Sequence, residues 1–295
     1  MFSLNNMLNG LSVKLLDYAQ LVKLRLSLLV VFSASMSYLW AVNRNIDFVT
    51  IWLLSVGGFL ITGASNIFNQ ILEIKSDALM KRTSERPLPS YRLEVREAII
   101  LGMIFSVMGI FLLSKINLLS FTLGCLALLV YVCIYTPLKK ITWLTVIPGA
   151  FAGSLPVLIG CTAATGSIST HAVLLFLVQF VWQFPHTWSV AWLLNDDYNK
   201  AGFKMLPTPG IQSKYASMLI MFSTFLIVPT ALLLYMYESV GVHVSWIISL
   251  FGSLLFLSSI VFYRARTKKS ALALMLGCII FLPVLFILLV AEKFI

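Results

Sequence analysis

Charged residues are scarce in this chain of 295 residues: they make up 11% of it, whereas 60% of the residues are hydrophobic. Globular domains carry about 25% charged residues, so the composition excludes a disordered chain, a nucleic-acid-binding domain and an ordinary soluble enzyme. Acids are scarcer than bases, with 11 Asp and Glu against 21 Lys and Arg. In a chain this apolar, the excess of bases first raises the question of where along the sequence they lie.

Cysteines and targeting signals are also few. The four cysteines all lie inside apolar stretches, and none forms a C-x-x-C pair. This pattern favours small buried hydrophobic residues over a disulfide or a metal site. The first 20 residues lack the basic segment and cleavage site of a secretory signal, and Asp17 is unusual for a mitochondrial transit peptide. We therefore expect a bacterial inner-membrane protein.

What the chain has instead is a series of apolar runs, each close to the roughly 20 residues that a helix needs to cross a bilayer. They are continuously apolar rather than alternating, which favours helices over membrane strands. The sequence predicts an all-α, polytopic membrane protein with nine transmembrane helices in a single domain over residues 1–295. The nine runs lie at about 24–43, 48–70, 97–114, 117–136, 144–164, 171–194, 215–236, 244–263 and 271–291.

The distribution of the bases predicts the orientation of the chain. When about 20 N-terminal residues are placed in the cytoplasm, all Lys and Arg residues except Arg44, Lys115 and Lys293 fall in cytoplasmic segments. This bias follows the positive-inside rule. It accounts for most of the net charge of +10 without any nucleic-acid partner.

Polar residues form a stripe at the cytoplasmic end of the second run. Asn69, Glu73 and Asp77 are spaced by four residues, so they lie on one face of a helix. Two carboxylates and an amide oxygen are hard ligands suited to Mg²⁺, whose remaining positions water and phosphate fill. The alternative is a solvated helix end, but polar groups at membrane level are costly and usually functional.

Bases follow this stripe, and the same order of acids and bases recurs later in the chain. Arg82 and Arg86 come soon after the stripe, and their guanidinium groups match phosphate oxygens. A second acidic pair, Asp196 and Asp197, precedes Lys204. Two acidic clusters with flanking bases at one membrane face predict a Mg²⁺–diphosphate site. Because that site opens into the bilayer, the rest of the substrate should be lipophilic.

The sixth run carries a second polar stripe. Gln179, Gln183, His186 and Asp197 fall within roughly 60° of one another on an uninterrupted helix, although Pro185 is able to kink it. His186 is the only histidine well inside a run. Two interpretations stay open for it: a hydrogen-bonded interior imidazole, or contact with a second substrate through heme iron, a carboxylate or a carbonyl.

Two tyrosines lie four residues apart on one face of the fourth run. The π faces of Tyr131 and Tyr135 are suited to shielding a cationic intermediate. The alternative is that they are ordinary interfacial tyrosines, which applies more to Tyr135 than to Tyr131.

The motifs together resemble the UbiA superfamily of intramembrane prenyltransferases, and within it the protoheme farnesyltransferase branch. One departure is visible, because Ala201 stands where many members carry a further Asp. We expect Asp196 and Asp197 to serve instead. The resemblance rests on five strings: Asn69-Gln70-x-x-Glu73-x-x-x-Asp77, Arg82-Thr83-x-x-Arg86-Pro87-Leu88-Pro89, Tyr135-Thr136-Pro137-Leu138-Lys139-Lys140, Trp182-Gln183-x-Pro185-His186 and Asp196-Asp197-Tyr198-x-x-Ala201-Gly202.

The resemblance implies a UbiA-type helical bundle that transfers the farnesyl group of farnesyl diphosphate to a vinyl group of protoheme IX, giving heme O. It implies Mg²⁺ as cofactor, heme as substrate, surrounding membrane lipid, and a heme A synthase as candidate partner for the product. The residues implied to hold Mg²⁺–diphosphate are Asn69, Glu73, Asp77, Asp196 and Asp197. The bases implied to contact the diphosphate are Arg82, Arg86, Lys139, Lys140 and Lys204.

Three alternatives stay open. One is a UbiA-type enzyme acting on a quinone precursor or another aromatic acceptor. Only His186 and Gln183, the expected heme contacts, distinguish a heme farnesyltransferase from such an enzyme. The second is a transporter, but transporters place their polar site near the midplane, whereas both acidic clusters lie at one face. The third, a non-catalytic scaffold, leaves the paired clusters unexplained.

Overall fold

The computed structural model describes residues 13–42, 45–208 and 212–294, and helices without strands form these parts of the chain. Residues 13–21 are helical and precede the first long helix. The helices that follow are α1 (Leu24–Ala41), α2 (Phe48–Asp77), α3 (Val95–Ser114), α4 (Leu118–Leu138), α5 (Trp143–Thr165), α6 (Thr170–Leu193), α7 (Asn195–Lys200), α8 (Lys214–Met236), α9 (Val242–Ala265) and α10 (Lys268–Ala291).

Eight of these helices are long and apolar enough to cross a membrane within the described residues, namely all except α6 and α7. Helix α6 has 24 residues, which is sufficient length, but Gln179, Gln183 and His186 make it more polar than the others. The all-helical membrane fold is therefore confirmed, and so are eight of the nine predicted spans. The ninth span, formed by α6, stays a prediction.

The bundle is arranged around α1 and α6. Helix α1 packs against α2, α5 and α10, and α6 packs against α5, α8 and α10. The contact between α1 and α5 is especially close at Gly160, where an added Cβ would overlap the carbonyl oxygen of Ala34. Membrane helices lack a hydrophobic driving force between them, so small residues that allow such an approach stabilise their packing.

We expect Gly160→Ala to destabilise the bundle by about 2 kcal/mol, because the added methyl group forces α1 away from α5. The measurement is thermal unfolding of the detergent-purified protein. Gly58→Ala is the matched control, because a Cβ at this glycine of α2 meets nothing within 4 Å. Equal unfolding temperatures for the two variants would contradict the close contact.

Candidate functional site

Helix α2 extends the second apolar run far enough to carry the whole polar stripe. It ends at Asp77, so Asn69, Glu73 and Asp77 lie on consecutive turns of one helix. Their side chains are buried, with exposed fractions of 1%, 5% and 0%. A solvated helix end is therefore excluded as an explanation of the stripe. Buried carboxylates require charged or hydrogen-bonding partners.

Basic side chains meet both carboxylates. Lys139 Nζ lies 2.8 Å from Glu73 Oε1, and Arg86 Nη1 lies 2.8 Å from Asp77 Oδ2. Lys139 comes from the end of α4 and Arg86 from the segment that follows α2. Two bases that the resemblance assigns to diphosphate thus lie directly on the acidic stripe.

Lys23 provides a third base, on the amide of the stripe. Its Nζ donates to Asn69 Oδ1 at 3.1 Å. Burial, followed by the positive charges of Arg86 and Lys139, lowers the pKa of Lys23 to about 7. From the sequence, Lys23 was only one of the bases that orient the chain, and its place in the site was not predicted.

A backbone break explains how Lys23 reaches the stripe. Lys23 adopts a left-handed conformation (φ 48°) between the N-terminal helical segment and α1. Carbonyl groups released at this break accept side-chain hydrogen bonds from α2: Gln70 Nε2 donates to Leu21 at 2.6 Å, and Asn66 Nδ2 donates to Val22 at 3.3 Å. The polar face of α2 thus donates hydrogen bonds to the carbonyl groups freed at the break and holds the break beside the stripe.

The stripe meets the chemical requirements of a Mg²⁺ site. Asp77 Oδ1 is buried and accepts no hydrogen bond from the described residues, so an unused hard ligand faces the interior. Within the described parts of the chain, no three His, Cys, Asp or Glu side chains gather closely enough to hold an ion by themselves. Mg²⁺ does not need such a cluster, because it keeps several waters and binds through one or two carboxylates plus substrate phosphate.

One residue of the second acidic pair, Asp197, contacts the segment that follows the stripe. Asp197 Oδ2 accepts the backbone N–H of Arg82 at 3.4 Å, although these residues are 115 positions apart. Asp196 is exposed, and its Oδ2 lies 3.5 Å from Lys268 Nζ. Asp197 therefore lies against the basic segment that follows the stripe.

The predicted continuous stripe from Gln179 to Asp197 is wrong. Helix α6 ends at Leu193, and Asp197 belongs to the next helix, α7. Pro185 lies inside α6 without ending it. A turn at Leu194 therefore breaks the register that the sequence pattern assumed.

The remaining predicted bases differ from Lys139 in their exposure to solvent. Arg82, Lys140 and Lys204 are exposed, whereas Lys139 is buried. The backbone N–H of Lys204 donates to the carbonyl oxygen of Lys139 at 2.7 Å, which fixes the segment after α7 against the end of α4. The Lys139 ammonium also lies 4.5 Å from the ring centroid of Tyr135. Lys139 is therefore the base that joins the acidic stripe to the aromatic residues of α4.

A cavity of about 520 Å³ opens beside the stripe, between α1, α2, α4, α5, α6 and α10. Its size is within the range of small-molecule sites, about 300–1,000 Å³. Asn66, one turn before the stripe on α2, is part of its wall. Four predicted site residues line it: Tyr131, Tyr135, Gln183 and His186. Sequence reasoning thus selected residues from two distant helices that share one cavity.

The α6 wall of the cavity carries polar atoms without partners. His186 stacks on Trp182 with ring centroids 4.9 Å apart and 9° between the planes. His186 Nδ1 and Gln179 Oε1 are buried and have no hydrogen-bond partner among the described residues. The Nε2 group of Gln179 donates to the Gly153 carbonyl at 2.8 Å. Unpaired polar atoms in an apolar wall favour a ligand that supplies the missing partners.

Comparisons with known proteins agree with this architecture. Residues 30–289 match the model of the UbiA prenyltransferase family. The Protoheme IX farnesyltransferase of Cytophaga hutchinsonii is 39% identical over 277 residues, which cover 94% of this chain and 97% of that protein.

Two solved structures share the fold at low sequence identity. A digeranylgeranylglyceryl phosphate synthase superposes with a TM-score of 0.79 at 20% identity, covering 95% of this chain and 98% of its own. A UbiA homolog from Archaeoglobus fulgidus bound to GPP and Mg²⁺ superposes with a TM-score of 0.68 at 16% identity, covering 92% of this chain and 99% of its own. The family match over most of the chain confirms the resemblance drawn from the motifs, and the chain belongs to the UbiA prenyltransferase family.

Proposed function

We propose that the protein transfers the farnesyl group of farnesyl diphosphate to a vinyl group of protoheme IX, giving heme O and diphosphate. The observation that carries the proposal is the position of the acidic stripe and its bases next to an apolar cavity with an unpaired polar wall. The name of the relative from Cytophaga hutchinsonii supports heme as the acceptor. The enzyme acts as a single domain in the bacterial inner membrane, with the N-terminus and the site facing the cytoplasm.

The stripe end of the site binds the diphosphate. Bound Mg²⁺ would neutralise the negative charge that develops on the leaving group. Arg86 and Lys139 now neutralise carboxylates, and they transfer to phosphate oxygens when the substrate enters. The proposed metal-binding residues are Asn69, Glu73, Asp77, Asp196 and Asp197. The proposed diphosphate contacts are Arg82, Arg86, Lys139, Lys140 and Lys204, together with Lys23.

The cavity end of the site directs the farnesyl group to its acceptor. The allylic C–O bond breaks and its electron pair leaves with the diphosphate, so positive charge develops on the farnesyl carbon. The faces of Tyr131 and Tyr135, whose ring centroids lie 5.1 Å apart, stabilise that charge. The vinyl π electrons form the new C–C bond, and water captures the cation left beside the heme ring, losing a proton to solvent.

The α6 wall orients the heme. His186 and Gln183 contact it, and the stacking of His186 on Trp182 holds the imidazole in the cavity wall. Trp182 is itself fixed, because its Nε1 donates to the Cys278 carbonyl at 2.8 Å. The product is lipophilic and stays in the membrane, so a membrane-bound heme A synthase is the partner that fits its chemistry.

Product mass tests this function directly. We expect purified protein, incubated with protoheme IX, farnesyl diphosphate and Mg²⁺, to yield a heme heavier by one farnesyl and one hydroxyl group. Incubation with an aromatic quinone precursor in place of heme provides the comparison, and we expect no prenylated product from it. A prenylated quinone precursor together with unchanged heme would favour the other UbiA-type reaction.

A further inference from the structure

A π-helical turn interrupts α4 next to the stripe. Residues Val130–Tyr135 form it, inside an otherwise α-helical segment. The backbone N–H of Thr136 bonds to the carbonyl of Tyr131, five residues earlier rather than four. The extra residue of such a turn rotates the residues after it by about 100° around the helix axis. π-turns of this kind are found frequently at functional sites.

The side chain of Thr136 connects this turn to the stripe. Its hydroxyl donates to the Tyr131 carbonyl at 2.8 Å and accepts from Asn69 Nδ2 at 3.2 Å. Thr136 is buried, with an exposed fraction of 3%. On the other side of the amide, Asn69 Oδ1 accepts from Lys23. The amide of Asn69 is therefore held at both of its ends.

The chemistry of these groups fixes the direction of the chain of hydrogen bonds. A carbonyl oxygen only accepts, so the single hydroxyl proton of Thr136 is committed to Tyr131. Towards Asn69 the Thr136 oxygen then only accepts, which requires the NH₂ group of the amide on that side. The amide oxygen must point the opposite way, towards Lys23 and the interior of the site.

We propose that Thr136 is a positioning residue, which keeps the amide oxygen of Asn69 directed at the Mg²⁺ site and its NH₂ group directed away from it. This inference rests on the proposed metal site of the stripe. Without the hydroxyl, the NH₂ group of Asn69 loses its partner, and only the bond from Lys23 still orients the amide. When Lys23 turns to the diphosphate, as proposed above, the amide turns over in part of the population. An NH₂ group facing a cation is repelled by it and supplies no ligand.

The test compares Thr136→Val, which keeps the shape and removes the hydroxyl, with Thr136→Ser, which keeps the hydroxyl. We expect the Mg²⁺ concentration for half-maximal farnesyl transfer to rise about tenfold in Thr136→Val and to be restored in Thr136→Ser. Binding of Mn²⁺ in the presence of an unreactive farnesyl diphosphate analogue, followed by electron paramagnetic resonance, should weaken by a similar factor. The KM for heme should stay unchanged.

Thr145→Val is the matched control. Thr145 is buried and its hydroxyl donates to the Tyr135 carbonyl at 3.0 Å, so the substitution removes the same kind of bond without touching the stripe. We expect its Mn²⁺ affinity to equal that of the unmodified protein. The double variant Thr136→Val/Asn69→Asp should bind Mn²⁺ as tightly as Asn69→Asp alone, because a carboxylate presents oxygen in either orientation.

Unchanged Mn²⁺ affinity in Thr136→Val, or an equal loss in Thr145→Val, would overturn the positioning role. If Thr136→Val does not fold, Thr136→Ala replaces it in the same comparison with Thr136→Ser. Because Mn²⁺ binding requires no heme, this readout stands even if the protein transfers farnesyl to another acceptor. An acceptor other than heme would therefore overturn the proposed function and leave the role of Thr136 to be decided by the metal affinities.

Discussion

Asp77→Asn is expected to reduce heme farnesylation by about 100-fold or more, because it removes a proposed, negatively charged metal ligand while keeping the shape of the side chain. Asp77 is fully buried, and one of its oxygens has no partner among the described residues. The measurement is the initial rate of heme O formation over a range of Mg²⁺ concentrations. Raising Mg²⁺ should recover only part of the rate, because the neutral amide leaves Arg86 without its counterion.

Asp17→Asn provides the control for this experiment. Asp17 is also buried and also pairs with an arginine, since its Oδ1 lies 2.9 Å from Arg92 Nε. It has no contact with the stripe among the hydrogen bonds of the described residues. A loss of stability from removing a buried carboxylate should appear in both variants, whereas the loss of turnover should appear only in Asp77→Asn. Near-normal turnover of Asp77→Asn at ordinary Mg²⁺ concentrations counts against the metal site.

His186→Phe is expected to lower kcat/KM for heme by about 10- to 100-fold, because the proposed polar contact of the imidazole with heme disappears. The phenyl ring keeps the stacking position on Trp182, so the change removes nitrogen atoms and little else. Binding of farnesyl diphosphate with Mg²⁺ should stay within about twofold of the unmodified protein. The two measurements are heme O formation at varied heme concentration and equilibrium binding of radiolabelled farnesyl diphosphate.

The same substitution at a second histidine of α6 serves as the control. His171 lies near the start of the helix, where its Nδ1 is 2.6 Å from Ser239 Oγ, and it does not line the cavity. We expect His171→Phe to form heme O at the normal rate. Undiminished heme farnesylation in His186→Phe would remove His186 from the acceptor site, and equal losses in both variants would indicate a general effect on α6.

Sequence patterns predicted those parts of the fold and site that depend on local periodicity. The apolar runs predicted most helix ends within a few residues, for example Leu24–Ala41 for the run at 24–43. The second run is the exception, because it was predicted to end at about residue 70 and α2 continues to Asp77. The four-residue spacing of Asn69, Glu73 and Asp77 predicted a shared face, because α2 is uninterrupted there. The stripe from Gln179 failed to reach Asp197 for the opposite reason, since a turn at Leu194 breaks the helix.

Long-range packing decides which bases enter the site, and sequence patterns carry little information about it. Lys139 and Lys140 are adjacent, yet only Lys139 points inwards and meets Glu73. Lys23 was not predicted because its position depends on a left-handed break that Gln70 and Asn66 hold from another helix. The amide residues Asn66 and Gln70 within an apolar run were the signal that the sequence offered. The roles of all these residues stay predictions until the variants are measured.

The ion pairs between the bases and the stripe have a consequence for diphosphate release in the proposed reaction. Arg86 and Lys139 contact the carboxylates of Asp77 and Glu73, and in the proposed reaction the oxygens of a diphosphate are their alternative partners. After farnesyl transfer, the diphosphate has lost the hydrocarbon tail that helped to hold it in the cavity. Once they no longer hold Mg²⁺, the carboxylates would compete for the same two cations at close range and at high effective concentration. In the proposed reaction the protein thus contains an internal competitor for its own leaving group, and re-formation of these ion pairs would clear the site for the next turnover.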